Sequence, residues 1–306
     1  MTLFSCFKQS VVAGLALCGN QFTLVKVKRF TQKIILKGFA VVPIPADLIM
    51  DGKIDQSTRM IDIIKRLVEM AHAENCDTAI GLPASFVIRK KIKLPDYLTD
   101  KECEAEISGN IERYVPGIHE ELNFDYVRLM GQEKNMLLIA ARTAQIKSFV
   151  TIVEAAGLKV RVVDVDIYAL ARAMHFAYPS EQVQIIVVVD SVLLQLIVLQ
   201  QQKIIFSHQF TMSDEESMVE KIEHGLQLFS TETKLFYEKK IFLMGNLKNI
   251  VHFKHIVQNE LGFHVEVANP FLFIMLAAYL DKQEFYAKAP RLISAFGLTM
   301  RRYPVW

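Results

Sequence analysis

The chain has little of what several function classes need. Its four cysteines, Cys6, Cys18, Cys76 and Cys103, include no CxxC pair and no zinc-type spacing. A disulfide framework and a structural zinc site are therefore not expected, and the thiols read as reduced cysteines of a cytosolic protein. Charge of one sign is lacking too. With 35 basic and 33 acidic residues the net charge is +2, which implies no broad nucleic-acid face. No apolar run approaches the roughly 20 residues of a membrane span. The longest, Gln184 to Leu199, is interrupted by Asp190. No Ser/His/Asp or Cys/His arrangement stands out, and His252 and His255 lie on an expected helix without an acid or cysteine ligand beside them.

What is present is a large apolar fraction, 52% of 306 residues, enough for a substantial core and too much for disorder. QIIVVVDSVLLQLIVL, Gln184 to Leu199, is rich in β-branched residues and reads as two buried strands joined at Asp190-Ser191. An aspartate ending a buried strand caps the turn, holds a metal or faces a ligand cleft. The first residues, through Cys18, have a faint lipoprotein-signal look. The apolar stretch from Val11 to Leu17 is at the short limit for such a signal, only Lys8 charges it, and bulky Leu17 precedes the cysteine. Three strands at Val11–Leu17, Phe22–Val27 and Ile34–Val42 account for the segment better.

The order of elements follows from periodicity and punctuation. A helix is expected over Ser57–Asn75, with Met60, Ile61, Ile64, Leu67, Val68 and Ala71 on one face, then a strand at Thr78–Leu82. Phe86–Leu94 is a strand whose Arg89, Lys91 and Lys93 share a face. That face is either plainly solvated or turned to an acidic partner or anionic lipid. Thr99 with Glu102 forms a capping box for a helix to Tyr114. Phe124–Met130 and Met136–Ala141 form a hairpin turning at Gly131. Helix Ala144–Ala156 ends at Gly157, strand Val160–Val165 follows, and Asp166 caps helix Ile167–Tyr178. After the central hairpin come strand Lys203–Phe210, a helix from Ser213 (boxed by Glu216) to about Leu235, strand Ile241–Met244, helix Leu247–Leu261, strand His264–Val267, helix Pro270–Leu280 and helix Ala289–Met300. Two halves thus each open with three strands and then alternate helix and strand, an internal duplication.

That pattern is similar to the actin-like ATPase superfamily. AIGLPASFVIRKKIKLP (Ala79–Pro95), Glu102–Leu129, AAGLKVRVVDVDIYALARAM (Ala155–Met174), GFHVEVANPF (Gly262–Phe271) and APRLISAFGLTMRR (Ala289–Arg302) together resemble the PilM family of type IV pilus assembly proteins, itself similar to the cell-division protein FtsA. The resemblance implies an α/β, actin-like fold of duplicated βββαβα units. Subdomain 1A would comprise residues 1–85 and 160–182, an inserted 1C-type subdomain 86–159, and subdomain 2A 183–306, with 2B reduced or absent. It implies a cytoplasmic scaffold, peripheral at the inner membrane through partners. That scaffold would bind ATP between its halves and grip the cytoplasmic N-terminal tail of PilN, a bitopic membrane protein of the pilus platform.

Against the family pattern the nucleotide loops are altered. The first phosphate turn, G-I-D-I-G-S-S-S-V-K in the family, is here Gly14 to Thr23, with Ala16 for the aspartate and no serine cluster. The second, V-D-I-G-A-T, becomes Val189 to Leu194, keeping Asp190 and losing the glycine. The third, G-G-G-A, keeps only Gly245 of its glycines, followed by Asn246. The expectation is a vestigial site at Asp190, Gly245 and Asn246 that holds no cofactor, neither ATP nor Mg²⁺, and supports no enzymatic activity, leaving a peptide groove whose candidates are Pro83, Phe86, Arg113, Tyr114 and Arg142. The alternatives are an actin-like protein that still binds nucleotide, or a component of a related secretion, competence or cell-division machine. Nucleic acid is not an expected partner.

Overall fold

The computed structural model describes the chain except for residues 1–8, 11, 31–32, 51–52, 55–56, 129–134, 191–192, 202, 213–216, 234–237, 248 and 304–306. The Gly131 turn, Ser191 and the Ser213–Glu216 cap lie outside the described residues, as do residues 1–8 and 11 of the opening segment.

The first half opens with β1 (Ala13–Cys18), β2 (Gln21–Arg29) and β3 (Ile34–Pro43) as an antiparallel meander. Helix α1 (Thr58–Met70) leads to β4 (Asp77–Leu82), parallel to β1. Later β8 (Lys159–Val165) adds in parallel to β4. The second half repeats this order. Strands β9 (Val183–Val189), β10 (Leu193–Gln200) and β11 (Lys203–Thr211) are antiparallel, β12 (Lys240–Gly245) joins β9 in parallel, and β13 (His264–Val267) joins β12. The two sheets run β8-β4-β1-β2-β3 and β13-β12-β9-β10-β11. The strand order is the same in both, so the duplication seen in the sequence is real at the level of topology.

Between β4 and β8 lies an inserted unit. Its strands are β5 (Val87–Lys93), β6 (Leu122–Arg128) and β7 (Asn135–Arg142), with β7 central and pairing antiparallel to both neighbours. Helix α2 (Asp100–Gly109) begins with the expected capping box: the Thr99 N–H donates to Glu102 Oε2 at 2.8 Å and the Glu102 N–H to Thr99 Oγ1 at 3.4 Å. The unit has its own core of Ile92, Leu94, Cys103, Ile107, Met136 and Leu138. Helix α3 (Thr143–Ala155) returns the chain to the body.

The central strands are buried on both faces, which is why they read as continuous apolar runs. Helices α4 (Asp166–Ala177) and α8 (Ile293–Leu298) sit between the sheets, in a core that joins Ala16 and Val25 to Ile186, Ile197 and Phe242. Helices α1 and α3 cover the outer face of the first sheet. Helices α5 (Met218–Glu232) and α6 (Ile250–Leu261) cover that of the second.

Several expectations need correction. Helix α1 ends at Met70 rather than Asn75, because His72 and Asn75 take left-handed backbone angles (φ 49° and 55°). The expected helix Asp100–Tyr114 breaks at Asn110. α5 starts at Met218 with Ser217 accepting from the Val219 N–H, and it ends at Glu232. The segment Pro270–Leu280 is not a helix. The Asn269 side chain accepts from the Phe271 N–H at 3.1 Å, and Met275–Leu276 becomes a short strand, β14, paired in parallel with Ile35–Leu36 of β3. Its apolar character serves a sheet edge, not a helix face. Ala289–Met300 splits into a 3-10 turn containing Pro290 and the short α8. β14 and α8 thereby belong to the first half, so residues 183–306 are not one unit; the C-terminal segment crosses back.

Candidate functional site

Three turns converge where the halves face each other. The β1–β2 turn contributes Gly19 at φ +56°, the end of β9 contributes Asp190, and the end of β12 contributes Gly245 at φ +118°. Only glycine tolerates the last of these without strain. A Cβ built on Gly245 would lie 2.0 Å from the Val189 carbonyl oxygen, and one on Gly19 would lie 2.0 Å from Asp190 Oδ2. Gly19 is packed against Asp190, and Gly245 against Val189. Asp190 is 7% exposed, its carboxylate set against the first turn, while its N–H donates to the Leu193 carbonyl at 2.8 Å. The Asn246 N–H donates to the Val189 carbonyl at 2.8 Å.

The sequence-predicted trio Asp190, Gly245 and Asn246 is therefore brought to one cleft, together with residues that the sequence reading assigned other roles. Asp166, expected only as a helix cap, stands at the start of α4 in the cleft wall. Its Oδ1 accepts from the Ile167 N–H at 2.6 Å, and the Ala84 N–H also donates to this carboxylate. Burial pushes its pKa up to about 7, against the lowering effect of those two donors. Cys18 lies beside it, its thiol pushed up to about 12, chiefly by burial and then by the two nearby aspartates. A thiol so placed stays protonated at neutral pH and is no nucleophile. Among the described lining residues Arg291 is the cation against two carboxylates.

A triphosphate needs free backbone N–H groups, small residues and positive charge at this point. The Asn246 N–H is engaged, Asp190 fills the approach between two turns, and the cleft volume of about 190 Å³ lies below the roughly 300–1,000 Å³ of ordinary small-molecule pockets. On the adenine side, β11 ends at Thr211 and α5 begins at Met218, leaving no length for a further subdomain. The residues present fit a nucleotide poorly.

The five peptide-groove candidates do not share one place. Pro83 and Phe86 line this cleft through the 3-10 turn Ala84–Phe86. Arg142 follows Ala141, which packs in the same core as Phe86, and its guanidinium pairs with Glu120 at 2.9 Å. Tyr114 is buried in the core of the inserted unit and its hydroxyl donates to Glu106 Oε1 at 3.2 Å, a packing role. Arg113 is exposed on the short helix beside it. The basic strip also divides. Arg89 is half-buried with its guanidinium 5.9 Å from the centre of the Tyr168 ring, bridging the inserted sheet to α4, whereas Lys91 and Lys93 are solvent-exposed. The sequence hid this because alternation along a strand does not say which part of a face meets another unit. Among the described residues no group of three His, Cys, Asp or Glu side chains could hold a metal ion, and no helix is long and apolar enough to cross a membrane.

The family described as type IV pilus assembly protein PilM matches residues 14–213 and 214–303. Among solved structures, a chain of the PilM-PilN type IV pilus biogenesis complex is 19% identical, with a TM-score of 0.78 over 95% of this chain and 98% of that one. The cytoplasmic domain of EpsL, an inner-membrane component of the Vibrio cholerae type II secretion system, is 8% identical, with a TM-score of 0.53 over 95% and 96% of the chains. Ethanolamine utilization protein EutJ from Carboxydothermus hydrogenoformans is 12% identical, with a TM-score of 0.50 over 97% and 91%. At such identities the likeness establishes the fold, which is actin-like.

Proposed function

This chain belongs to the type IV pilus assembly protein PilM family, and from that premise we propose that it is a non-enzymatic adaptor on the cytoplasmic side of the pilus platform. Its partner is the cytoplasmic N-terminal tail of a PilN-like bitopic membrane protein, and its actin-like cleft no longer serves a nucleotide. The observation that carries the second half is the contact between Gly19 and Asp190, which puts a carboxylate where the first two turns would have to part around phosphate. Each lost charge-assisted hydrogen bond removes about 1.5–3 kcal/mol of binding. Several are missing at once, so affinity falls beyond the micromolar range. The first half is supported by family membership and by the fold shared with a chain solved in a PilM-PilN complex. The seam between the inserted unit and the body, at Arg89 and Tyr168, is where an extended tail would find polar side chains beside a sheet.

Two titration calorimetry experiments on the full chain test the two halves separately. Mg-ATP is expected to give no binding heat; a micromolar Kd would restore the nucleotide-binding alternative. A synthetic peptide matching the cytoplasmic tip of the PilN-like protein is expected to bind, with Arg89→Ala and Arg142→Ala weakening it. A tail that binds neither the wild type nor the variants removes the adaptor reading.

A further inference from the structure

No acidic residue occurs before Asp47, while Lys8, Lys26, Lys28, Arg29, Lys33 and Lys37 precede it. Five of these six cations belong to the β2–β3 hairpin or its tip. The hairpin is firmly held: the Arg29 Nε–H donates to the Thr299 carbonyl at 3.3 Å and Lys26 Nζ donates to the His72 carbonyl. Among the described residues Lys28, Lys33 and Lys37 form no ion pair. Lys28 Nζ stands 5.2 Å from the ring centre of Phe30 at the tip, and Lys37 Nζ stands 5.9 Å from that of Tyr279.

Apolar side chains gather at the same edge. The register aligns Lys28, Ile35 and Met275 across β2, β3 and β14, so they lie on one face of the sheet. Phe30 is 50% exposed, Met275 53% and Tyr279 66%. The Tyr279 hydroxyl donates to the Lys37 carbonyl at 2.7 Å, tying this loop to the hairpin. Of the acids close in sequence, Asp281 caps α7 (Lys282–Lys288) and Glu284 pairs with Lys288. Exposed rings interleaved with lysines match the chemistry of an anionic bilayer surface, where rings enter the headgroup layer and lysines meet lipid phosphates.

We infer that the adjoining ends of β2 and β3 and the β14 edge, through Phe30, Met275, Tyr279, Lys28, Lys33 and Lys37, form a contact site for anionic lipid headgroups. The chain then rests on the membrane directly, in addition to any tail it holds, and the lysines orient it. This assignment differs from the inserted strand, whose Lys91 and Lys93 face outward on another unit.

Cosedimentation of the full chain with vesicles tests it. With phosphatidylglycerol and phosphatidylethanolamine at low salt the protein is expected to pellet; with phosphatidylcholine alone it stays in solution, and raising the salt releases it. Replacing Lys28, Lys33 and Lys37 together with Gln lowers the partition coefficient roughly a hundredfold, about fivefold per lysine. The single variant Phe30→Ser, at an exposed position, weakens binding while the thermal melt is unchanged. Lys91→Glu with Lys93→Glu leaves binding as it was. No pelleting with the anionic vesicles, equal pelleting with phosphatidylcholine, or loss only with the Lys91 and Lys93 pair would each overturn the assignment. So would capture by an acidic protein in the absence of lipid binding.

Discussion

Replacing Asp166 with Asn tests the electrostatics of the cleft directly. The amide keeps an Oδ1 that accepts from the Ile167 and Ala84 N–H groups, while the ionisation is removed. Burial raises the folded-state pKa from 3.8 to about 7. Below pH 3.8 both states are protonated and the carboxyl contributes nothing to the pH dependence. Between there and pH 7 the unfolded chain ionises while the folded one resists, so stability falls as pH rises; above pH 7 the loss is complete. The interval is about three pH units at ~1.4 kcal/mol each, which sets an upper bound near 4 kcal/mol, and residual solvent contact reduces it to ~2–4 kcal/mol. Urea unfolding at pH 5, 6, 7 and 8, wild type against Asp166→Asn, reads this difference without interference from other titrating groups. The variant is expected to be more stable, by ~1–2 kcal/mol at pH 5 and by the full amount at pH 8. A difference that stays constant with pH, or a variant less stable at pH 8, would refute the reasoning.

Gly245→Ala forces a side chain onto φ +118° and into the Val189 carbonyl, so it is expected to cost at least ~2 kcal/mol in a denaturant melt, unlike a neutral surface change. Phe149→Ala removes a ring stacked on Phe22 at 6.2 Å between α3 and the first sheet, with ~3–5 kcal/mol lost by the same assay. Thr99→Ala opens the capping box of α2 for ~1 kcal/mol, seen as faster amide exchange in the inserted unit and not in the sheets of the body.

The sequence alone determined the duplicated order of elements, because doubly buried strands must be apolar throughout and amphipathic helices must repeat every 3.6 residues. Those patterns are local, as are the box at Thr99, the left-handed Gly262 and the strand-ending Asp190. What the tertiary structure decided was distance between segments far apart in the chain. It alone set Asp190 against Gly19, moved Asp166 from helix cap to cleft wall, and buried Tyr114 while leaving Lys91 in solvent. It also carried Met275–Leu276 back to β3. An apolar run of that length satisfies a helix face and a sheet edge equally well; only the unpaired edge of β3 makes the strand the cheaper way to satisfy its backbone hydrogen bonds.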